Sequence, residues 1–127
     1  MADDLPPVFI DPVEIDQVIA NLVENAVKYT PPGGRIAISA SVADGELRVA
    51  IEDSGPGVGE EALARLFEPF YRAPDAGAVV GSGVGLAVAR GLVTAHGGHI
   101  WATNLDGHGA RFTFTIPSAP LEREPEP

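Results

Sequence analysis

Residues 11–30 read DPVEIDQVIANLVENAVKYT, and the local signals in this stretch all favour a helix. Asp11 suits the capping position, Pro12 suits the first helical position, and Glu14 completes a capping box with Asp11. Apolar residues then recur at helical spacing, and they are Ile15, Val18, Ile19, Leu22, Val23, Ala26 and Val27. Because Pro31 cannot continue a helix, we expect this one to end near Thr30.

Alternating sequence downstream of this helix predicts two β-hairpins. In the first hairpin, one face of the first arm carries Ile36, Ile38, Ala40 and Val42, and the second arm places Leu47, Val49 and Ile51 inward. Its two arms are joined by Asp44-Gly45, a dipeptide typical of a type I′ turn. The second hairpin is predicted over residues 99–104 and 110–116, with a turn at Asp106-Gly107 and with Phe112, Phe114 and Ile116 on its inner face.

Three further segments complete the predicted fold. Residues 8–10 suit an edge strand, residues 60–66 suit a short helix, and residues 84–96 suit a second long helix that ends at two glycines. Glycine, alanine and proline dominate residues 72–83, so we expect a mobile loop there. The order βαββααββ predicts an α+β sandwich: a mixed, mostly antiparallel sheet of about five strands, with about three helices on one face.

Composition limits the kind of protein this is. A chain of 127 residues with 45% hydrophobic residues fits one globular domain, which we assign to residues 1–117, followed by an acidic, proline-bearing disordered tail at 118–127. The net charge of −10 argues against a nucleic-acid partner. Because the chain has no cysteine, disulfides, thiolate catalysis and cysteine-ligated metals are excluded. No apolar run is long enough for a membrane span, and no signal peptide is evident.

The first helix carries a group of polar residues beside its apolar stripe. Asn21, Asn25 and Lys28 fall within an arc of roughly 60° at 100° per residue. An asparagine amide oxygen suits Mg²⁺ that also binds phosphate and water, and a lysine can meet phosphate as a point charge. A solvated helix face would explain the same pattern, and the helix alone does not decide between the two interpretations.

A second group follows the first hairpin, in the order Asp53-Ser54-Gly55-Pro56-Gly57. Asp53 continues the inward parity of Leu47, Val49 and Ile51, so its carboxylate needs a hydrogen-bond donor. The exocyclic amine of adenine would serve, and Gly55 and Gly57 would let a flat ring approach the backbone. The alternative is an aspartate that caps its own turn.

A third group, Gly81-Ser82-Gly83-Val84-Gly85-Leu86, opens the second long helix. Glycines before a helix expose N–H groups at the positive end of its dipole, which favours phosphate. The spacing matches neither a Walker A loop nor the dinucleotide fingerprint. A flexible hinge would explain this glycine cluster equally well.

The order of these groups is more informative than any one of them. Asn-xxx-Asn-xx-Lys-Tyr, Asp-x-Gly-x-Gly, Phe-xx-Phe and Gly-x-Gly-x-Gly-Leu follow one another along the chain. They resemble the N, G1, F and G2 boxes of sensor histidine kinase ATP-binding domains, in the superfamily of gyrase, Hsp90, histidine kinase and MutL ATPases. The resemblance covers residues 9–117 and implies the Bergerat-type ATP-binding fold. Residues 97–101 and 109–114 resemble more weakly those of potassium-responsive (Kdp-type) sensor kinases.

The resemblance implies MgATP as the ligand and gives roles to individual residues. On the phosphate side, Asn25 would bind Mg²⁺, Asn21 would act beside the metal or the phosphates, and Lys28 would contact phosphate. Asp53 would bind the adenine amine in a pocket shaped by Gly55 and Gly57, with Tyr29 packed on the ribose or base. The residues implied for the lid and the phosphate loop are Phe67, Phe70, Arg72, Gly81, Gly83, Gly85 and Leu86.

The resemblance also implies a reaction, the transfer of the γ-phosphoryl group to a histidine, with Asn21, Lys28 and Arg72 as catalytic residues. The acceptor would lie on a separate helical dimerisation domain, because His96, His99 and His108 lack the His-Glu/Asp-x-x-x-Pro setting. The autonomous ATPases of the superfamily have a glutamate general base at the position of Asn21. An amide cannot accept that proton, so we expect weak hydrolysis by the chain alone.

A response regulator would then be the downstream partner, and the chain would be the cytoplasmic part of a membrane-bound bacterial sensor without membrane contact of its own. Two alternatives share the same sequence features. One is a serine kinase of the anti-sigma type, and the other is a non-catalytic nucleotide-binding sensor.

Overall fold

The computed structural model describes residues 12–69, 84–105 and 109–117. The helices are α1 (Pro12–Tyr29), α2 (Glu60–Leu63) and α3 (Gly85–Ala95). The strands are β1 (Ile36–Ala43), β2 (Glu46–Asp53), β3 (His99–Asn104) and β4 (Ala110–Pro117). They form a four-stranded sheet in the order β1-β2-β4-β3, and each neighbouring pair is antiparallel.

The predicted α+β class is confirmed, but two details of the prediction are corrected. The described sheet has four strands rather than about five, and it is antiparallel rather than mixed. The edge strand predicted at 8–10 lies outside the described residues, as do the loop at 72–83, the turn at 106–107 and the tail at 118–127. Helix α2 ends at Leu63 instead of Leu66, because tighter turns bonded from residue 65 to 62 and from 68 to 65 follow it.

The hairpin between β1 and β2 has the predicted turn. Asp44 and Gly45 have φ angles of 55° and 77°, the pair of positive values that a type I′ turn requires. This turn sets the register in which Ile38 pairs with Ile51 and Ala40 with Val49. The inward residues of β2 are buried as predicted, and the parity extends to Asp53 at the end of the strand.

The core lies between the sheet and the helices α1 and α3. Val18, Leu22 and Ala26 of α1 meet Val93 of α3 and Phe114 of β4 in one buried cluster. Burying an aliphatic side chain of this size stabilises the fold by about 1.5–3 kcal/mol. The helices therefore pack on a single face of the sheet, as predicted.

Two residues of the apolar sequence patterns are exposed. Val27 is 59% exposed, since it lies roughly 140° around the helix from Leu22. Ile38 is 49% exposed because α1 packs over β2 rather than over β1, which is an edge strand of the described sheet. Membership in an apolar pattern therefore does not mean burial for these two side chains.

Strand β4 is buried on both faces, which alternation alone did not predict. Thr113 and Thr115 point away from the helices, yet each is only 3% exposed. Thr113 pairs with Trp101, Thr115 pairs with Arg48, and the Arg48 guanidinium lies 5.5 Å from the centre of the Trp101 ring. Larger side chains from the strands on both sides therefore cover the threonines of this central strand.

None of the described helices is long and apolar enough to span a bilayer.

Candidate functional site

The buried end of β2 provides the first element of the site. Asp53 is 7% exposed and lies between Ile36 of β1 and Ala110 of β4. Its Oδ1 accepts a hydrogen bond of 2.8 Å from the Gly55 N–H, so the aspartate does cap its own turn. An ionised carboxylate has about four acceptor sites, so this bond orients the group and leaves capacity for a second donor.

The glycines after Asp53 allow a close approach of backbone segments. A Cβ at Gly55 would lie 2.6 Å from the carbonyl oxygen of Tyr29, so the loop can touch the end of α1 only with glycine there. Gly57 has a φ of +83°, the left-handed conformation that favours glycine. Glycine is needed at both positions for structural reasons, whatever the loop binds.

Asn104, at the end of β3, holds this loop and was missed by the sequence analysis. Its Nδ2 donates to the Val58 carbonyl at 2.6 Å, and its Oδ1 accepts from the Val58 N–H at 2.8 Å. A Cβ at Gly57 would lie 2.9 Å from the same Oδ1. Nothing in the sequence pairs positions 58 and 104, because the contact exists only once the sheet has formed.

Ser54 joins the loop to the segment that follows α1. Its Oγ accepts from the Arg35 N–H at 2.7 Å, and its own N–H donates to the Arg35 carbonyl at 3.0 Å. A groove of about 630 Å³ lies beside this junction; its lining is Lys28, Tyr29, Thr30, Pro31, Pro32, Ser54, Gly55 and Pro56. Three predicted site residues therefore share the groove, whereas Asn25 and Asp53 are not among its lining residues.

The two asparagines of α1 differ in their surroundings. Asn21 donates from Nδ2 to the Gly85 carbonyl at 3.0 Å and accepts at Oδ1 from the Gln17 amide at 2.7 Å. Asn25 is half-buried, and its side chain has no hydrogen-bond partner among the described residues. The amide of Asn25 is therefore available to a ligand, whereas both polar atoms of Asn21 are engaged.

Lys28 adds an available positive charge to this face. It is the only lysine in the sequence, it is exposed, and it makes no ion pair with any residue that the structure describes. Two arginines, in contrast, are paired: Arg65 with Glu68 at 3.0 Å and Arg111 with Glu52 at 2.8 Å. In a chain of net charge −10, an anionic ligand would depend on such local cations.

The remaining predicted residues fall into two groups. Among the described ones, Phe67 is buried edge-on against Phe112 with ring centres 6.2 Å apart, Leu86 packs beside the core, and a Cβ at Gly85 would meet no atom within 4 Å. The others lie outside the described residues: Phe70, Arg72, Gly81 and Gly83. The structure therefore leaves the predicted roles of the lid and phosphate loop untested.

The two described histidines differ in their surroundings. His96 ends α3, where its Nδ1 lies 2.9 Å from the Leu92 carbonyl and its Nε2 lies 3.9 Å from a carboxylate oxygen of Glu14. His99 is exposed at the start of β3, and His108 lies outside the described residues. Among the residues that the structure covers, no three metal-binding side chains (histidine, cysteine, aspartate or glutamate) form a cluster able to hold a metal ion.

This arrangement places a buried carboxylate around the end of β2, and on α1 an amide and an ammonium that have no partner among the described residues. Residues 10–120 match the model of the histidine kinase-, DNA gyrase B-, and HSP90-like ATPase family. The chain belongs to this family. The resemblance drawn from the four ordered sequence motifs is thereby confirmed.

Sensor kinases are prominent among the family's members that this chain resembles. It is 44% identical over 115 residues to the adaptive-response sensory kinase SasA of Microcystis aeruginosa, covering 90% of this chain and 30% of that protein. It is 40% identical over 112 residues to the sensor histidine kinase WalK of Bacillus subtilis, covering 85% of this chain and 18% of that protein. The chain thus spans less than a third of these relatives.

Solved histidine kinase structures share the fold of this family member. The mycobacterial sensor histidine kinase MprB superimposes with a TM-score of 0.83 at 30% identity, covering 92% of this chain and 82% of that one. Full-length ShkA, in complex with AMPPNP, gives 0.79 at 37% identity over 92% of this chain and 24% of that one. ThkA, in complex with the response regulator TrrA, gives 0.72 at 34% identity over 89% and 31%.

Proposed function

We propose that this chain is the ATP-binding catalytic domain of a sensor histidine kinase. The observation that carries the proposal is the buried carboxylate of Asp53, held in one orientation by the Gly55 N–H beside the end of α1. A buried carboxylate with spare acceptor capacity favours a ligand that donates a hydrogen bond. The exocyclic amine of adenine is such a donor, and ShkA, a structural relative, was solved with AMPPNP.

Along α1, the proposed site runs from the purine to the phosphates. Tyr29 adjoins the loop after Asp53, whereas Asn21 contacts the start of α3, and their separation of eight positions corresponds to about 12 Å along the helix. Asn25 and Lys28 lie between these two points. We assign the phosphates to this stretch because it carries an amide and an ammonium that have no partner in the part of the chain that the structure describes.

The chemistry of Asn25 fits Mg²⁺ as the accompanying ion. Mg²⁺ in nucleotide sites keeps several waters and binds through one or two protein oxygens together with substrate phosphates. A single half-buried amide oxygen with no partner within residues 12–69, 84–105 and 109–117 suits that arrangement. When bound, the ion would neutralise phosphate charge, and the residues of this chain would orient the nucleotide for attack on its γ-phosphorus.

Lys28 and the first turn of α3 would complete the positioning of the phosphates. The first N–H groups of a helix lack intrahelical acceptors, and they lie at the positive end of the helix dipole. In-line transfer of the γ-phosphoryl group requires little of the protein beyond orientation and charge stabilisation. We assign the remaining predicted roles, those of Arg72, Phe70, Gly81 and Gly83, on the family resemblance alone.

The acceptor would be a histidine on a helical dimerisation domain outside this chain. His96 is engaged with Leu92 and lies near Glu14 at the far end of α3, so it does not face the proposed phosphate position. The phosphate would pass onward to a response regulator, the kind of partner that ThkA has in its complex with TrrA. We also propose a cytoplasmic location, on the same resemblance to sensor histidine kinases that suggests the response regulator.

A phosphotransfer assay tests this proposal. The chain is mixed with MgATP labelled at the γ-phosphate and with a histidine-bearing helical domain from a related sensor kinase. We expect acid-labile phosphate on the acceptor, and transfer that is roughly 10- to 150-fold slower with Asp53→Asn at an ATP concentration well below saturation for both chains. The control is Glu52→Gln, which changes the neighbouring carboxylate on the opposite face of β2 and should transfer normally.

Two results would favour the alternatives. Acid-stable product on a protein serine would indicate a serine kinase of the anti-sigma type. Tight ATP binding without transfer to several competent acceptors would indicate a non-catalytic nucleotide sensor. Without an acceptor we expect only slow ATP hydrolysis, because Asn21 cannot serve as a general base.

A further inference from the structure

We propose that Asn21 is a positioning residue that holds the start of α3 against α1, and that Gln17 acts through it. The inference rests on the proposed function, because the start of α3 matters for catalysis only if phosphates bind there. It gives Asn21 a role different from that of a metal or phosphate ligand. It also brings Gln17, which no sequence motif contains, into the site.

Two hydrogen bonds run in sequence: Gln17 donates to Asn21, and Asn21 donates to the Gly85 carbonyl. The Gly85 carbonyl can only accept, so the atom of Asn21 that faces it at 3.0 Å must be the Nδ2 donor. The other amide atom of Asn21 is then the Oδ1 acceptor, and the Gln17 Nε2 donates to it at 2.7 Å. Gln17 therefore fixes the rotation of the Asn21 amide that the contact with Gly85 requires.

The chain of hydrogen bonds links two parts of the proposed site that are 64 residues apart in sequence. Gly85 is the first residue of α3, and Asn21 lies one turn before Asn25 on α1. A displacement of α3 along α1 would move its first-turn N–H groups relative to Asn25 and Lys28. Adenine binding at Asp53 does not involve this contact, so only the phosphate-dependent part of the affinity should respond.

The test uses Gln17→Met, which removes the donor while keeping the length of the side chain, together with Asn21→Ala and the double variant. Calorimetry gives the dissociation constants for MgATP and for adenosine in the whole chain. We expect each single variant to weaken the binding of MgATP by about two- to tenfold, the range of one net hydrogen bond. The affinity for adenosine should not change. The double variant should match Asn21→Ala, because Gln17 acts only through Asn21.

Two outcomes of this cycle would overturn the inference. An equal loss of adenosine affinity would mean that the variants disturb the domain as a whole. Multiplicative losses in the double variant would mean that Gln17 acts on its own. The control Val27→Met introduces methionine at an exposed position of the same helix and should change neither affinity.

Asn21→Asp separates positioning from metal binding. The aspartate can still accept from Gln17, but it turns a carboxylate oxygen toward the Gly85 carbonyl and loses the donor. We expect it to weaken MgATP at least as much as Asn21→Ala does. Tighter Mg²⁺-dependent binding of ATP would mean that residue 21 is a metal ligand, and the inference would then be wrong.

Amide hydrogen exchange gives a readout that needs no nucleotide. In Gln17→Met and Asn21→Ala, we expect faster exchange in the first turns of α3, beginning with the Val88 N–H that bonds to the Val84 carbonyl. Unchanged exchange there would overturn the inference even if ATP affinity fell. If wild-type chain bound neither adenosine nor ATP, the proposed function would fail, while the exchange result would still decide whether the contact holds α3.

Discussion

The purine end and the phosphate end of the proposed site are held in different ways. At the purine end, a buried carboxylate is oriented by the backbone two residues away, and Asn104 binds both backbone polar groups of Val58. At the phosphate end, the ligand groups are side chains on α1 that have no described partner, with an exposed ammonium among them. The first end is preorganised by the sheet, and the second depends on helix packing and on charge.

This difference predicts that base recognition should tolerate changes in salt, whereas phosphate binding should not. Interactions of exposed charges are largely screened beyond about 8–10 Å at ordinary ionic strength, and buried hydrogen bonds are screened much less. Four substitutions test the contrast, and they follow in order of decreasing expected effect.

The largest effect is expected from Asp53→Asn. The amide can still accept from the Gly55 N–H, so the turn is retained, but it presents a weaker acceptor or a donor to the adenine amine. A hydrogen bond to a charged group contributes about 1.5–3 kcal/mol, so adenosine and ATP should both bind roughly 10- to 150-fold more weakly. Calorimetry with each ligand measures this loss.

A base swap sharpens the same experiment. Inosine triphosphate has a carbonyl where ATP has the amine, so the wild-type chain should prefer ATP and the Asp53→Asn chain should lose that preference. Glu52→Gln is the matched control and should leave both affinities unchanged. If the Asp53→Asn chain kept the wild-type preference, the purine would not be recognised at residue 53.

The next largest effect is expected from Asn25→Ala. Loss of the amide oxygen should weaken MgATP by about tenfold, the cost of about 1.4 kcal/mol, while adenosine binding stays the same. Titration of Mg²⁺ at fixed ATP should show the change in the metal-dependent part of the affinity. Glu24→Gln, at the neighbouring exposed residue, is the control; a loss as large in this variant would argue against a specific role for Asn25.

A smaller effect is expected from Asn104→Ala, which removes both hydrogen bonds to Val58 and loosens the loop after Asp53. Each bond contributes about 0.5–1.5 kcal/mol, and water can replace part of that at this exposed position. Adenosine should bind about fivefold more weakly, and the backbone amides of Gly55, Gly57 and Val58 should exchange faster. Unaltered exchange would show that the loop holds its shape without Asn104.

The smallest effect is expected from Lys28→Gln. A solvent-exposed ion pair contributes about 0.2–1 kcal/mol, so MgATP should bind roughly 1.5- to 5-fold more weakly at low salt. The difference from the wild-type chain should shrink in 0.5 M salt, where screening acts within about 4–5 Å. Arg90→Gln, at an exposed position farther along α3, is the control; an equal loss there would mean that general charge rather than Lys28 matters.

Local signals predicted most of the fold. The Asp44-Gly45 turn and the alternation of β2 carry their information in adjacent residues, and both are confirmed. The exposure of Val27 and the burial of Thr113 were not predictable in this way. The former depends on which side of α1 meets the sheet, and the latter on which strands flank β4.

The candidate site shows the same division. Asp53 could be found because it continues the alternation of inward residues along β2 and because Gly55 and Gly57 follow it closely in the sequence. Asn104 could not be found, because its partner Val58 comes close only when the chain folds. Gln17 could not be found either, because its role depends on the orientation of Asn21, which the Gly85 carbonyl sets from 64 residues away. The predicted roles of Phe70, Arg72, Gly81 and Gly83 stay predictions.

The stacking of Arg48 on Trp101 has a practical consequence for anyone who studies this domain in solution. Trp101 is the sole tryptophan, and its indole faces away from α1 and α3, on the side of the sheet where Arg48 covers it. Its intrinsic fluorescence should therefore report cooperative unfolding of the sheet, and its intensity should not change when a nucleotide binds. One sample can thus supply a melting curve whose optical signal is independent of occupancy, so any ligand-induced rise in midpoint reflects binding energy alone.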